Sequence, residues 1–134
     1  MKAPAARHYI NRITAKTAVK EVTTLIDPGI PVEDDMRGIR GGRAIRDGDR
    51  FTINGRTYQQ EPNGTMFPVD GDGLIPRVPR GVMNALLAFA RYNEINERSE
   101  FEIASREISD EDVEMAREIW RRRERYRDGQ GTDN

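Results

Sequence analysis

Arg50-Phe51-Thr52-Ile53-Asn54-Gly55-Arg56-Thr57-Tyr58-Gln59-Gln60-Glu61-Pro62-Asn63-Gly64-Thr65-Met66-Phe67 is the stretch that decides the fold. Two Asn-Gly dipeptides separate three short runs of strand-forming residues. A type I′ turn needs positive φ at both central residues, which Gly adopts freely and Asn tolerates. The run therefore predicts an antiparallel meander of three strands. A fourth strand is predicted at Ala44-Ile45-Arg46, with Asp47-Gly48 turning the chain into the first of the three.

Helical patterns flank the meander. From Thr14, the residues Ala15, Ala18, Val19, Val22, Leu25 and Ile26 fall at helical spacing, and Asp27-Pro28-Gly29 stops that pattern. Beyond the meander, Asp70-Gly71-Asp72-Gly73 turns the chain, and Leu74 to Arg80 reads as an extended crossing. Val82, Leu86, Phe89 and Ala90 mark one face of a helix from about Gly81 to Asn93, expected to lie across the sheet. Glu94 to Ile108 reads as a broken acidic stretch. Ser109-Asp110-Glu111-Asp112 then opens a last helix, its hydroxyl capping first-turn amides and its carboxylates facing the positive dipole end. The fold class is α+β, a small antiparallel three- to four-stranded meander packed by an N-terminal helix and two C-terminal helices.

A chain of 134 residues supports one core. The expected organisation is a flexible N-terminal arm at 1–13, a single α+β domain at 14–128 and a disordered tail at 129–134. Within the domain, Glu33-Asp34-Asp35 precedes Met36-Arg37-Gly38-Ile39-Arg40-Gly41-Gly42-Arg43. So few apolar anchors do not offset the entropy of ordering, so 29–43 is expected to be a mobile Arg/Gly loop.

Composition removes several chemistries. With no cysteine there is no disulfide, thiolate metal site or cysteine nucleophile, and a reducing cytoplasmic location is expected. No apolar run is long enough to span a bilayer, so no membrane partner is expected. The sequence lacks Gly-Lys-Ser/Thr, a strand-turn-helix dinucleotide fingerprint and a Gly-x-Ser-x-Gly elbow, so no cofactor or serine nucleophile is expected. Asp70-Gly71-Asp72-Gly73 departs from a calcium loop, since Val78 and Arg80 stand where later oxygen ligands belong. The expected metal content is none. The lone His8 falls in the arm, outside the predicted core, and chemistry is expected to run without imidazole.

The formal net charge of -1 gives no global field for nucleic acid or membrane. Yet only Lys2, Lys16 and Lys20 among the 22 basic residues are lysines, and the planar multi-donor guanidinium suits phosphate and carboxylate. Arg56 and Tyr58 alternate on one strand and so share a face, while Arg77 and Arg80 lie at the exit of the meander. Guanidinium and phenol together can stabilise a phosphorane or activate a ribose hydroxyl. This resembles, in chemistry and size, small bacterial RNA-cleaving toxins of the RelE type, which work without histidine, though no motif is shared. The resemblance implies a toxin-like ribonuclease with Arg56, Tyr58, Arg77 and Arg80 as catalytic residues. Arg117, Arg121, Arg122, Arg123 and Arg125 on the last helix would then grip RNA.

Arg37, Arg40, Arg43, Arg46 and Arg50 form another basic run, but Glu33, Asp34, Asp35, Asp47 and Asp49 balance it along the sequence. That balance predicts a self-compensated, solvated segment. The rival functional reading is a non-catalytic protein–protein interaction module, docking an antitoxin- or immunity-like partner through its charged segments. Its acidic segment is marked, with nine acids from Glu94 to Glu114 against Arg98 and Arg106.

Overall fold

The computed structural model describes residues 1–132, with side chains through Gly129. The strands are β1 (Val22–Ile26), β2 (Ile45–Asp47), β3 (Arg50–Ile53), β4 (Arg56–Gln60), β5 (Met66–Gly71) and β6 (Leu74–Pro79). The helices are α1 (Val32–Arg40), α2 (Arg80–Tyr92), α3 (Glu97–Ser105) and α4 (Asp110–Thr132). The fold is α+β. Strands β2-β3-β4-β5 form one antiparallel sheet, and β1 pairs with β6 in a separate antiparallel ribbon.

Asn54 and Gly55 both take positive φ, 51° and 79°, which builds the expected I′ turn between β3 and β4. The second Asn-Gly differs. Gly64 N–H donates to the Glu61 carbonyl at 2.8 Å, and of Asn63 and Gly64 only the glycine has positive φ. Pro62 holds its own φ near -65°, roughly the first corner of a type I turn, and leaves the left-handed position to Gly64. Strand β5 completes the meander, and β6 crosses to β1. Pro68, Pro76 and Pro79 supply no amide donor, which limits any ladder between β5 and β6.

Four expectations are corrected. The predicted helix from Thr14 is absent: Thr14–Thr17 closes a turn, and its C-terminal end is strand β1. The consecutive β-branched residues Val22, Thr23 and Thr24 favour the pleated backbone, and β6 supplies the ladder. The stretch 29–43 is largely helix rather than loop. Val32, Met36 and Ile39 bury one face of α1 against the sheet, and Gly38 lacks the Cβ that would collide with Ile53 Cδ1. The N-terminal arm is tied down by 3₁₀ turns at Ala6–His8 and Ile10–Arg12, which bury His8, Ile10 and Ile13. Lys2 also exchanges backbone bonds with Gly64 and Met66. The acidic stretch contains α3, started by a capping box in which Asn96 and Ser99 satisfy each other's amides.

Helix α2 begins within a residue of its expected start, and Ser109 Oγ accepts from Asp112 N–H at 3.2 Å as expected for α4. Helix α4 runs on through Gly129, so order does not end there; residues 133–134 of the expected tail lie outside the described residues. Two cores result. The larger joins α2, α3 and α4 to the β1–β6 ribbon through Val82, Leu86, Phe89, Trp120, Leu25 and Val78. The smaller lies between α1 and the meander, around Met36, Ile53, Tyr58 and Met66. The meander is thus covered by α1, and α2 serves the other core.

Candidate functional site

Arg56 and Tyr58 do share a face of β4, and that face points inward. Asp35, fully buried on α1, accepts from Arg56 Nε at 2.6 Å and from Arg56 Nη2 at 2.9 Å. It also accepts from Tyr58 Oη at 2.5 Å and from Asn54 Nδ2 at 2.8 Å. Burial alone would raise the Asp35 carboxyl, but the bonds from Arg56, Asn54 and Tyr58 outweigh it and hold it below its usual value. Burial, then the bond to Asp35, pushes the Tyr58 phenol up, so it stays a protonated donor. Tyr58 is 0% exposed and Arg56 6%, so neither polar head faces solvent. The cluster fastens α1 to the sheet.

Arg77 and Arg80 do not join that cluster. Arg80 is exposed at the start of α2, 3.8 Å from Glu21. Arg77 sits in a bulge of β6: Val78 faces Thr23 and Ile75 faces Leu25, so Pro76 and Arg77 together oppose Thr24. Its φ of 58° is left-handed, which a side chain with a Cβ disfavours. Arg77 stands at a cleft of about 390 Å³ where β5 and β6 diverge beside β1. His8 lies beneath this region, its ring edge-on to Phe67 with centroids 5.0 Å apart. The His8 Nδ1–H donates to the Thr24 carbonyl at 2.8 Å, and burial lowers its pKa, keeping the ring neutral. The expectation that His8 lies outside the core is corrected.

The arginines of α4 are largely engaged within the chain. Arg117 forks onto Glu100 at 3.1 and 2.7 Å and also reaches Glu114. Arg121 pairs with Glu114, Arg122 with Asp27 and Arg125 with Glu118. Arg123 donates to the carbonyls of Ile10 and Ile13 and lies 4.7 Å from the centre of the Trp120 ring. By contrast, Arg40, Arg43, Arg46 and Arg50 are exposed and take no part in the ion pairs of the described residues.

The opposite charge gathers on α3 and the start of α4. Glu97, Glu107, Asp110 and Glu111 are exposed and unpaired among the described residues. Phe101, one turn from Glu97 on the same helix face, is 77% exposed. Sequence reasoning passed over Phe101 and Asp35. An aromatic inside an acidic helix was a readable signal for the first, and the 32/36/39 apolar spacing around Asp35 was one for the second. No His/Asp/Glu group suited to a metal occurs among the described residues, and no helix there is long and apolar enough to cross a membrane. No protein-family model, curated protein or solved structure matches the chain.

Proposed function

We propose that the chain is a non-catalytic interaction module whose α3–α4 face receives a basic segment of a protein partner. Phe101 carries this reading: an aromatic held in water beside unpaired carboxylates suits a segment offering an apolar side chain flanked by Arg or Lys. Ala104, one turn beyond Phe101, lines a groove of about 390 Å³ between α3 and α4, floored by Ile103, Ile108 and Val113. Glu107 adds support, since it holds a left-handed φ of 54° that Gly or Asn would adopt with less strain. The burial of Arg56 and Tyr58 favours binding over catalysis. A photo-crosslinker placed at position 101 tests the idea in cells. Adducts should map to Lys/Arg-rich partner sequence and disappear when Glu97 and Glu111 become Gln. Adducts indifferent to those charges would overturn it.

A second reading, an RNA-directed protein including a toxin-like ribonuclease, draws support from Arg40, Arg43, Arg46 and Arg50, which have no carboxylate partner among the described residues. Gel shifts with single-stranded RNA should then weaken on Arg40→Gln plus Arg43→Gln and be indifferent to Arg121→Gln. RNA left unshifted and uncut by the purified protein removes this reading.

A further inference from the structure

The cleft between β1, β5 and β6 combines an apolar lining with one charge of each sign. Val22, Phe67, Val69 and Pro76 supply the walls, and Asp70 and Arg77 stand at the same opening. Both charged residues are exposed, and neither forms an ion pair among the described residues, with each other or elsewhere. A volume of about 390 Å³ falls within the range of small-ligand sites.

Arg77 is the informative member. Its backbone holds φ 58°, where glycine is at ease and a Cβ is not. A residue chosen for the bulge alone gains nothing from a guanidinium there, because the group bonds to no carboxylate or carbonyl among the described residues. The strained position re-aims a long cationic side chain at the rim of the cleft, which is a recurrent use of bulges. The cleft itself is rigidly backed. Thr23 and Thr24 are buried, and the neutral His8 fastens the Thr24 carbonyl from behind.

We propose that this cleft binds a small zwitterion with an apolar body, an apolar α-amino acid. Its carboxylate meets the Arg77 guanidinium, its ammonium meets Asp70, and its side chain packs on Phe67 and Val69. A carboxylate suits the fork geometry of arginine, and the unpaired Asp70 gives the ammonium an acceptor of opposite sign. This site is independent of the α3–α4 docking face.

Titration of the isotope-labelled protein with L-leucine and L-phenylalanine, followed by NMR, tests the assignment. Amides of Thr23, Phe67, Val69 and Arg77 should shift in a saturable manner. N-acetyl-leucine, lacking the ammonium, and leucinamide, lacking the carboxylate, should each bind about tenfold more weakly or worse. Arg77→Gly should unfold at the same or a higher temperature while losing ligand binding, which separates recognition from folding. Asp70→Asn should weaken leucine but leave leucinamide no better than before. No saturable shift with any amino acid, equal binding of leucine and leucinamide, or undiminished binding by Arg77→Gly would each overturn the proposal.

Discussion

Two arginine-rich regions, 117–127 on α4 and 37–50 around β2, look alike in sequence and behave oppositely in the fold. Both interleave guanidinium groups with carboxylates. Along α4, successive turns meet other elements: Arg117 reaches Glu100 on α3, Arg122 reaches Asp27 after β1, and Arg123 reaches the 3₁₀ turn at Ile10–Arg12. Arg37 and Arg40 lie in the last turn of α1 and Arg43 just past it, while Arg46 is on the edge strand β2 and Arg50 opens β3. Arg46 meets the Gly48 carbonyl and the face of the Phe51 ring, and Arg50 meets the Gln59 side chain, none of them a carboxylate. One of the acids that balances this run in sequence, Asp35, turns inward to Arg56. Charge counted along a chain therefore says little about charge available at a surface. Availability depends on which neighbours the topology brings within reach.

Asp35→Asn should break this contrast most severely. It leaves the Arg56 guanidinium buried without a counter-charge, and removing one member of a buried pair costs about 3–5 kcal/mol. The urea midpoint should fall accordingly, far more than for any change to the neighbouring Asp34, an exposed residue paired locally with Arg37. The acid limb of stability should change too. The folded Asp35 carboxyl titrates below its usual 3.8, so the unfolded chain takes the proton first. Its contribution is complete above pH 3.8 and is lost as pH falls through the lower folded value. The Asn variant should lack that portion of the acid transition. A midpoint within error of the parent would mean that Asp35 does not fasten α1.

Arg123→Ala ranks next. It strands the Ile10 and Ile13 carbonyls and uncovers the Trp120 ring, for a loss of about 2 kcal/mol. Hydrogen exchange locates the effect: amides of residues 8–13 should exchange faster, while those of the meander keep their protection. Uniform acceleration across both cores would instead indicate that α4 and the meander unfold as one unit.

The legible parts of the fold were those with local chemistry. Asn54-Gly55 specifies its turn without reference to the rest of the chain, and the apolar faces of α2 and α4 repeat at their own period. Strand β1 is not legible locally because the apolar residues from 15 to 26 satisfy helical spacing, while the partner that settles the matter, β6, lies about fifty residues on. Helix α1 hid behind three glycines and six charges between 33 and 43. Much of its anchoring comes from a contact 21 residues away, Asp35 to Arg56. For the candidate site, the shared face of Arg56 and Tyr58 was readable from strand alternation. Its inward direction was not, because the helix that covers it has the glycine- and charge-rich composition of a loop. The placement of Arg77 depends on a bulge that has no local signature beyond Pro76.

Arg40→Gln with Arg43→Gln should give the smallest effect on folding and so sharpen the contrast. Both side chains are exposed and outside the ion pairs of the described residues, and surface changes of this kind stay within about 0.5 kcal/mol. Neutralising Arg117 in the same background should cost more, about 1 kcal/mol, because its fork onto Glu100 is partly sheltered and links α4 to α3. Thermal unfolding of the two variants side by side measures the difference directly. If the double glutamine variant loses as much as Arg117→Gln, then the 40–50 arginines contribute to folding after all. The case for their being free to meet an external anion then fails with them.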